Sequence, residues 1–358
     1  MKKQNVNIKI GKRYDKNAAI KMLKYMPMGE LMQKAYAARL QRIPGNQVSF
    51  VYDTNPNYTN ICVTKCAFCA FYRNCSDSDA YTLSPDKLAM KVKKAYDIGA
   101  TTVLLQGGHN PDLGVDDWIS YIRAIHLACP DIHIHPFSPA EYMFMATKEK
   151  ISVKKLLETV FAEGIDTIPG GGAEILTESV RRKIANKKAS STEWIDTCKT
   201  AHEIGFRTTA TMMFGHVETD EDIVDHLLVL RDLQDKTGGF TSFIPWSFKP
   251  GGSLLGKKIR QSIHPAKYVR IIALSRLILD NFQHIQSSWF SESVSAGQLG
   301  LLAGADDFGG VLVEENVLFE AGHDRAASVD DVLTIIKKAG FVPVQRDSYY
   351  NIINTFSS

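Results

Sequence analysis

The stretch Gly205-Phe206-Arg207-Thr208-Thr209-Ala210-Thr211-Met212-Met213-Phe214-Gly215-His216-Val217-Glu218-Thr219-Asp220-Glu221 spells out one strand–loop–helix unit. Gly205 stops the helix before it, because glycine tolerates the left-handed turn that closes a helix. Residues 206–213 are rich in β-branched and aromatic side chains, as a strand should be. Thr219-Asp220-Glu221 offers a cap followed by acids in the first turn, where they complement the helix dipole. A helix is expected over 218–235.

The same unit recurs in both directions along the chain. Candidate strands lie at 47–52, 101–106, 132–137, 164–169, 206–213, 240–246, 284–290 and 306–313. Candidate helices lie at 84–98, 116–128, 152–162, 192–204, 218–235, 265–281, 294–303 and 328–338. Ser84-Pro85-Asp86 and Ser191-Thr192-Glu193 are further helix starts, and Gly99 and Gly164 further stops. Repeated βα units imply a parallel sheet. Eight of them imply an α/β fold closed as a TIM-type (β/α)8 barrel. Residues 1–46, with a helix expected over 16–41, read as an N-terminal helical cap across one end of that barrel. Residues 47–340 read as its core and 341–358 as a short C-terminal tail.

The chain has 358 residues, 44% hydrophobic and 23% charged, with formal net charge +3. Such a balance gives no argument for a nucleic-acid or membrane partner. No apolar run reaches the roughly 18 residues of a spanning helix, and no apolar segment follows the basic start to make a signal peptide. Six cysteines in a chain this long do not suggest a disulfide framework. A reducing cytoplasm is the expected compartment.

In a TIM-type barrel the site lies at the C-terminal ends of the strands. The chemistry-bearing residues fall there. A C-x3-C-x2-C run, Cys62, Cys66 and Cys69, follows the first strand, and Gly107-Gly108-His109 follows the second. Ser138-Pro139-Ala140-Glu141 follows the third strand and Gly170-Gly171-Gly172-Ala173-Glu174 the fourth. His216 and Glu218 follow the fifth, and Lys249-Pro250-Gly251-Gly252 the sixth.

Three thiolates at this spacing can hold three irons of a 4Fe–4S cluster, leaving the fourth iron open to bind a small molecule. Two other readings stand beside it: three inert buried thiols, or a zinc site completed by Cys75 or a histidine. Cys75, Cys129 and Cys198 stand alone on other elements and read as structural. His133 and His135 alternate on one strand and share a face, a pattern also found in metal-dependent hydrolase barrels. There the pair belongs to the first strand; here it is on the third. His133 reads as a satisfied wall residue and His135 as facing substrate. A rim histidine such as His216 is a candidate proton acceptor.

The cysteine run, with Phe68 just before its last thiol, resembles the radical S-adenosylmethionine superfamily. The resemblance implies two cofactors, the 4Fe–4S cluster and S-adenosylmethionine, which is chelated by the open iron and cleaved by an electron from the cluster. It implies Phe68 against the adenine with Tyr72 in support, and Gly107 and Gly108 against the methionine amino group. His109 stands where the superfamily usually has an acid, and Glu174 where an acid accepts from the ribose hydroxyls. Within the superfamily, the runs at 57–73, 137–141, 208–219 and 243–246 resemble the cyclases of the futalosine route to menaquinone. Aminofutalosine synthases and deazaflavin-chromophore synthases are the neighbouring branches and the alternatives. Asp79 and the run at 249–252 depart from the pattern. The cyclase resemblance implies dehypoxanthine futalosine as small-molecule substrate and a flavodoxin or ferredoxin as electron donor. His216 with Glu218 would handle the proton, and His135, Ser138, Arg207 and Lys249 would contact substrate.

Overall fold

The computed structural model describes residues 13–311, 313–314, 316–322 and 327–356. In chain order its elements are α1 (Lys16–Tyr25), α2 (Met28–Arg42), β1 (Gln47–Val51), β2 (Asp53–Thr54), α3 (Pro85–Asp97), β3 (Thr102–Leu105), α4 (Val115–Ala128), β4 (His133–Pro136), α5 (Pro139–Glu149), α6 (Val153–Ala162), β5 (Thr167–Ile168), α7 (Glu178–Ile184), α8 (Ser191–Ile204), β6 (Arg207–Phe214), α9 (Asp220–Thr237), β7 (Phe240–Ser247), α10 (Pro265–Ile278), β8 (His284–Ile285), α11 (Val294–Leu302), β9 (Asp307–Gly310), α12 (Asn316–Glu320), α13 (Val329–Lys338), β10 (Val342–Arg346) and β11 (Ile352–Thr355). Each expected strand has its counterpart; Ser84 and Thr219 make the expected caps, while the helix expected to start at Ser191 is capped one residue earlier, by Ser190, with Ser191 its first helical residue. Ser84, Ser190 and Thr219 accept from Lys87, Glu193 and Asp222 backbone N–H groups. The helix expected over 16–41 is two helices, because Pro27 lacks an N–H and crowds the preceding turn.

The strands pair in parallel except for β10 with β11. Their ladders run β11-β10-β1-β9, β2-β3-β4 and β5-β6-β7-β8. Tyr52 interrupts β1 and β2, and a Gln286–Asp307 bridge joins the ends of β8 and β9. Between β4 and β5 side chains make contact: the Thr167 hydroxyl lies 2.7 Å from His133 Nε2 and 2.8 Å from His135 Nδ1. The single closed ladder expected from eight units is thus three arcs among the described residues. β5 has only two residues: Pro169 after it has no N–H, and the Gly170 N–H donates to the Thr209 hydroxyl at 2.8 Å.

Helices cover the arcs. Trp118 of α4, fully buried, stacks on Phe137 at 3.7 Å between ring centroids. The N-terminal helices pack on outer helices and hold the chain where it enters the strands: Arg39 donates to Gly45 O and Gln47 O, and Arg42 to Asp280 O. Helix α1 packs on α9 and α10, and α2 packs on α10. The mouth at the N-terminal ends of the strands is closed by the C-terminal hairpin. Strand β10 joins β1, and the turn after it reaches across: Ser348 Oγ lies 3.1 Å from Thr102 Oγ1, Tyr349 meets His133 edge-on, and Tyr350 stacks on His284 at 3.7 Å. Arg346 binds Asp307 through two nitrogens, at 2.6 and 3.1 Å. The expected tail is therefore a floor.

Candidate active site

The cysteine loop is held by its neighbours. Cys62 N donates to Arg73 O, Val63 N to His109 O, Ala67 N to Ile184 O, and Leu255 N to Ala67 O. Gly107 and Gly108 are required by this packing. A Cβ on Gly108 would sit 2.2 Å from Ile61 O and 2.9 Å from Cys62 Cβ, and one on Gly107 would sit 2.6 Å from the Tyr58 ring. His109 is buried, stacks on Phe144 and shares a hydrogen bond with Thr64 at 2.7 Å. Burial holds it neutral, its pKa pushed down to about 3, with Lys188 adding to the effect. It is a strut behind the loop.

Cys66 is buried while Cys62 and Cys69 are partly exposed. Burial pushes the Cys66 thiol up to about 12 and raises Cys69 too. Thiolates here need a cation beside them, which cluster iron would supply. Among the described residues no three His, Cys, Asp or Glu groups converge on a point where one metal ion would sit. His133 and His135 are both bonded to the Thr167 hydroxyl, which disfavours the hydrolase reading. A cube differs, because it presents separate corners to separate thiolates, and the three cysteines on one short loop suit it.

Glu174, in a left-handed backbone conformation (φ +42°), lies beside this loop. Its Oε1 accepts from Lys188 Nζ at 3.0 Å, while Oε2 is buried, faces Arg181 Nη1 at 3.7 Å and accepts no hydrogen bond. That unfilled acceptor fits the expected ribose contact. Nothing in the local sequence marks Lys188. Burial works against its charge, yet Glu174 and Cys66 hold its pKa raised, and Nζ lies 5.6 Å from the Phe68 ring centroid. It thus ties the cysteine loop, Phe68 and Glu174 together. Tyr72 is half-buried and donates backbone N–H to the Cys69 thiol.

A cavity of about 300 Å³ opens from here into the space enclosed by the strands. Gly170, Gly171, Gly172 and Glu174 line one end, Ile244, Trp246 and Phe290 line its wall, and Arg346, Ser348 and Tyr350 line the other end. His135 lines it too, with Nδ1 engaged by Thr167 and burial holding the ring neutral.

The other expected substrate and proton groups do not line it. His216 Nε2 lies 2.9 Å from Met213 O and its Nδ1 accepts from Val217 N, so both ring nitrogens are used in a side chain with no exposure. Burial lowers its pKa although Glu218 opposes the shift. Glu218 accepts from Gly215 and His216 N–H groups, bracing the turn into α9. Ser138 and Glu141 form a capping box at the start of α5. Arg207 is exposed at the first residue of β6, the end opposite the rim. Lys249 is buried against Glu292 at 3.3 Å and Ser247 at 2.7 Å. Each was chosen for its place in the sequence; local turn and cap chemistry absorbed three of them, strand polarity removed Arg207, and a partner 43 residues away took Lys249.

Residues 56–230 match the model of the radical SAM superfamily, and residues 237–358 match the CofH/MqnC C-terminal region. The chain belongs to the radical SAM superfamily and is an enzyme of that class. Among its curated relatives is the cyclic dehypoxanthine futalosine synthase of Halalkalibacterium halodurans, 38% identical over 97% of this chain and 93% of that one. The synthase of the same name from Streptomyces coelicolor is 36% identical over 95% and 86%. A 5-amino-6-(D-ribitylamino)uracil–L-tyrosine 4-hydroxyphenyl transferase from Methanococcoides burtonii is 38% identical over 94% and 95%. Among solved structures, methylornithine synthase superposes with TM-score 0.72 at 17% identity, covering 93% of this chain and 95% of its own, which makes the fold TIM-like α/β. No described helix is long and apolar enough to cross a membrane.

Proposed function

We propose that this enzyme cyclises dehypoxanthine futalosine to cyclic dehypoxanthinyl futalosine in menaquinone biosynthesis. The observation that carries the reading is the cavity, enclosed by the strands and opening at Glu174 beside the cysteine loop, in a chain that aligns nearly end to end with cyclases of that name. Cys62, Cys66 and Cys69 are assigned as cluster ligands, and Phe68, Gly107, Gly108 and Glu174 as the cradle for S-adenosylmethionine. When bound, that pair supplies a carbon-centred radical that removes one hydrogen atom from the substrate. The chain's own work is placement and exclusion of water. Ile244, Trp246 and Phe290 present apolar walls suited to an aromatic ring. His135, neutral and with Nε2 not engaged by Thr167, is assigned a substrate contact. A flavodoxin or ferredoxin is the proposed electron donor, and a reducing cytoplasm, which suits an oxygen-sensitive centre and free thiols, is the proposed compartment.

A second reading comes from the transferase relatives, which match as well as the cyclases do. One experiment separates the two. Anaerobically reconstituted protein with dithionite and S-adenosylmethionine is given dehypoxanthine futalosine, or 5-amino-6-(D-ribitylamino)uracil with tyrosine. Cyclisation yields 5′-deoxyadenosine and a product two hydrogens lighter than dehypoxanthine futalosine. A coupled uracil–tyrosine product in the other arm replaces the cyclase reading, and an adenosyl-containing product points to the aminofutalosine branch. Absence of 5′-deoxyadenosine in every arm removes the proposal.

A further inference from the structure

The turn between β10 and β11 closes the deep end of the cavity and places a group there that the fold does not use. Tyr350 has φ +67°, a left-handed conformation costly for an aromatic residue. It keeps that conformation because its ring stacks on His284 and the Arg346 guanidinium lies 4.0 Å from its centroid. The Asp347 carboxylate braces the turn, accepting from the N–H groups of Tyr349 and Asn351. The hydroxyl so positioned is buried in a residue that lines the cavity; it faces the Ser242 hydroxyl of β7 and closes no hydrogen bond of good geometry. Ser242 lines the cavity beside it, and its buried hydroxyl, turned toward Tyr350, likewise closes no hydrogen bond of good geometry. Buried hydroxyls are nearly always bonded, and leaving one unmade is costly. Two of them on one cavity, one held there by a strained backbone, mark the place of a ligand.

We propose that Tyr350 and Ser242 form a hydrogen-bonding subsite for a hydroxyl-bearing end of the substrate, a five-carbon sugar or polyol, which makes the C-terminal hairpin a specificity-determining part of the site. The inference rests on the cavity being the substrate site. Burial keeps the Tyr350 hydroxyl protonated, so it donates, and a serine hydroxyl both donates and accepts. Arg346 is committed, with two nitrogens on Asp307 and the third on Asp347 O. The floor therefore offers neutral hydroxyls rather than a free cation, which suits a sugar better than a carboxylate. Dehypoxanthine futalosine carries a five-carbon sugar, and the ribitylaminouracil of the second reading carries a five-carbon polyol, so both are recognisable by this chemistry.

The test is anaerobic calorimetry of dehypoxanthine futalosine and of 5-amino-6-(D-ribitylamino)uracil binding to reconstituted holoenzyme with S-adenosylmethionine present. Wild type is compared with Tyr350→Phe, Ser242→Ala and, as control, Tyr349→Phe, whose hydroxyl meets Asp166 outside the cavity. Wild type should bind one ligand, and Tyr350→Phe and Ser242→Ala should each weaken it by about tenfold at unchanged melting temperature. Tyr349→Phe should bind as wild type does. Unchanged affinity in either subsite variant, equal weakening in Tyr349→Phe, a melting temperature that falls with the affinity, or no binding by wild type overturns the subsite. Turnover is read separately: binding without turnover refutes the proposed reaction and leaves the subsite standing.

Discussion

His216 shows how much a residue's role depends on its hydrogen-bond partners. A rim histidine with a neighbouring glutamate looks like a proton-transfer pair. Here the ring accepts from Val217 N and reaches Met213 O, and Glu218 serves two backbone N–H groups. The pair holds the turn between β6 and α9. Removing a general base costs about 10²–10⁴-fold in rate. We expect His216→Asn to retain turnover within about tenfold of wild type, with the pH–rate profile keeping its shape, since no step titrates on His216. A loss of a hundredfold or more, together with disappearance of one limb of the profile, would restore His216 as the base. Lys188 is the converse. It sits among lysines and alanines with nothing to mark it in the sequence, yet it spans Glu174, Cys66 and Phe68.

At the scale of elements, the loop after β3 and the cysteine loop are one packed unit. The double glycine exists because Ile61, Cys62 and Tyr58 fill the space where its side chains would be. Gly108→Ala puts a methyl carbon within 2.2 Å of the Ile61 carbonyl oxygen, which must move, and Cys62 with it. The expected result is protein that folds, by circular dichroism, but takes up much less iron and loses its brown absorbance after anaerobic reconstitution. Full iron content in Gly108→Ala would show that the loop yields without losing its ligand geometry. Ser84 and Thr219 are legible as caps because a cap needs only residues three apart, while Ser190 caps one residue before the expected Ser191. Pro27 breaks the helix expected over 16–41, and Pro169 follows the two-residue β5, each through its missing N–H.

Over the whole molecule, burial of titratable groups sets the response to acid. His202, bonded to Thr208 and Thr237, has its pKa pushed down to about 4 by burial, and the fully buried His226 to about 3. In the unfolded chain both would titrate near the ordinary histidine value of about 6.5. Below that value the unfolded state binds more protons than the folded one, so stability falls as pH falls. Each histidine contributes up to about 1.4 kcal/mol per pH unit, from about pH 6.5 down to its folded pKa. Urea unfolding of the apoprotein should give a lower midpoint at pH 5 than at pH 7, and His202→Gln with His226→Gln should flatten the difference. A midpoint independent of pH over that range would contradict the burial of the two rings.

By itself the sequence determined the βα alternation, the helix starts and the loops that follow each strand, because those are set by periodicity and by residues within a turn of one another. It also marked the cysteine run, whose three thiols sit within eight positions. Tertiary structure alone decided which rim residues reach the cavity, and that β10, β11 and the turn between them form its floor. Tyr350 meets His284 and Arg346 meets Asp307 across dozens of intervening residues. Contacts of that range depend on how the strands close around one another, and local pattern carries no record of it.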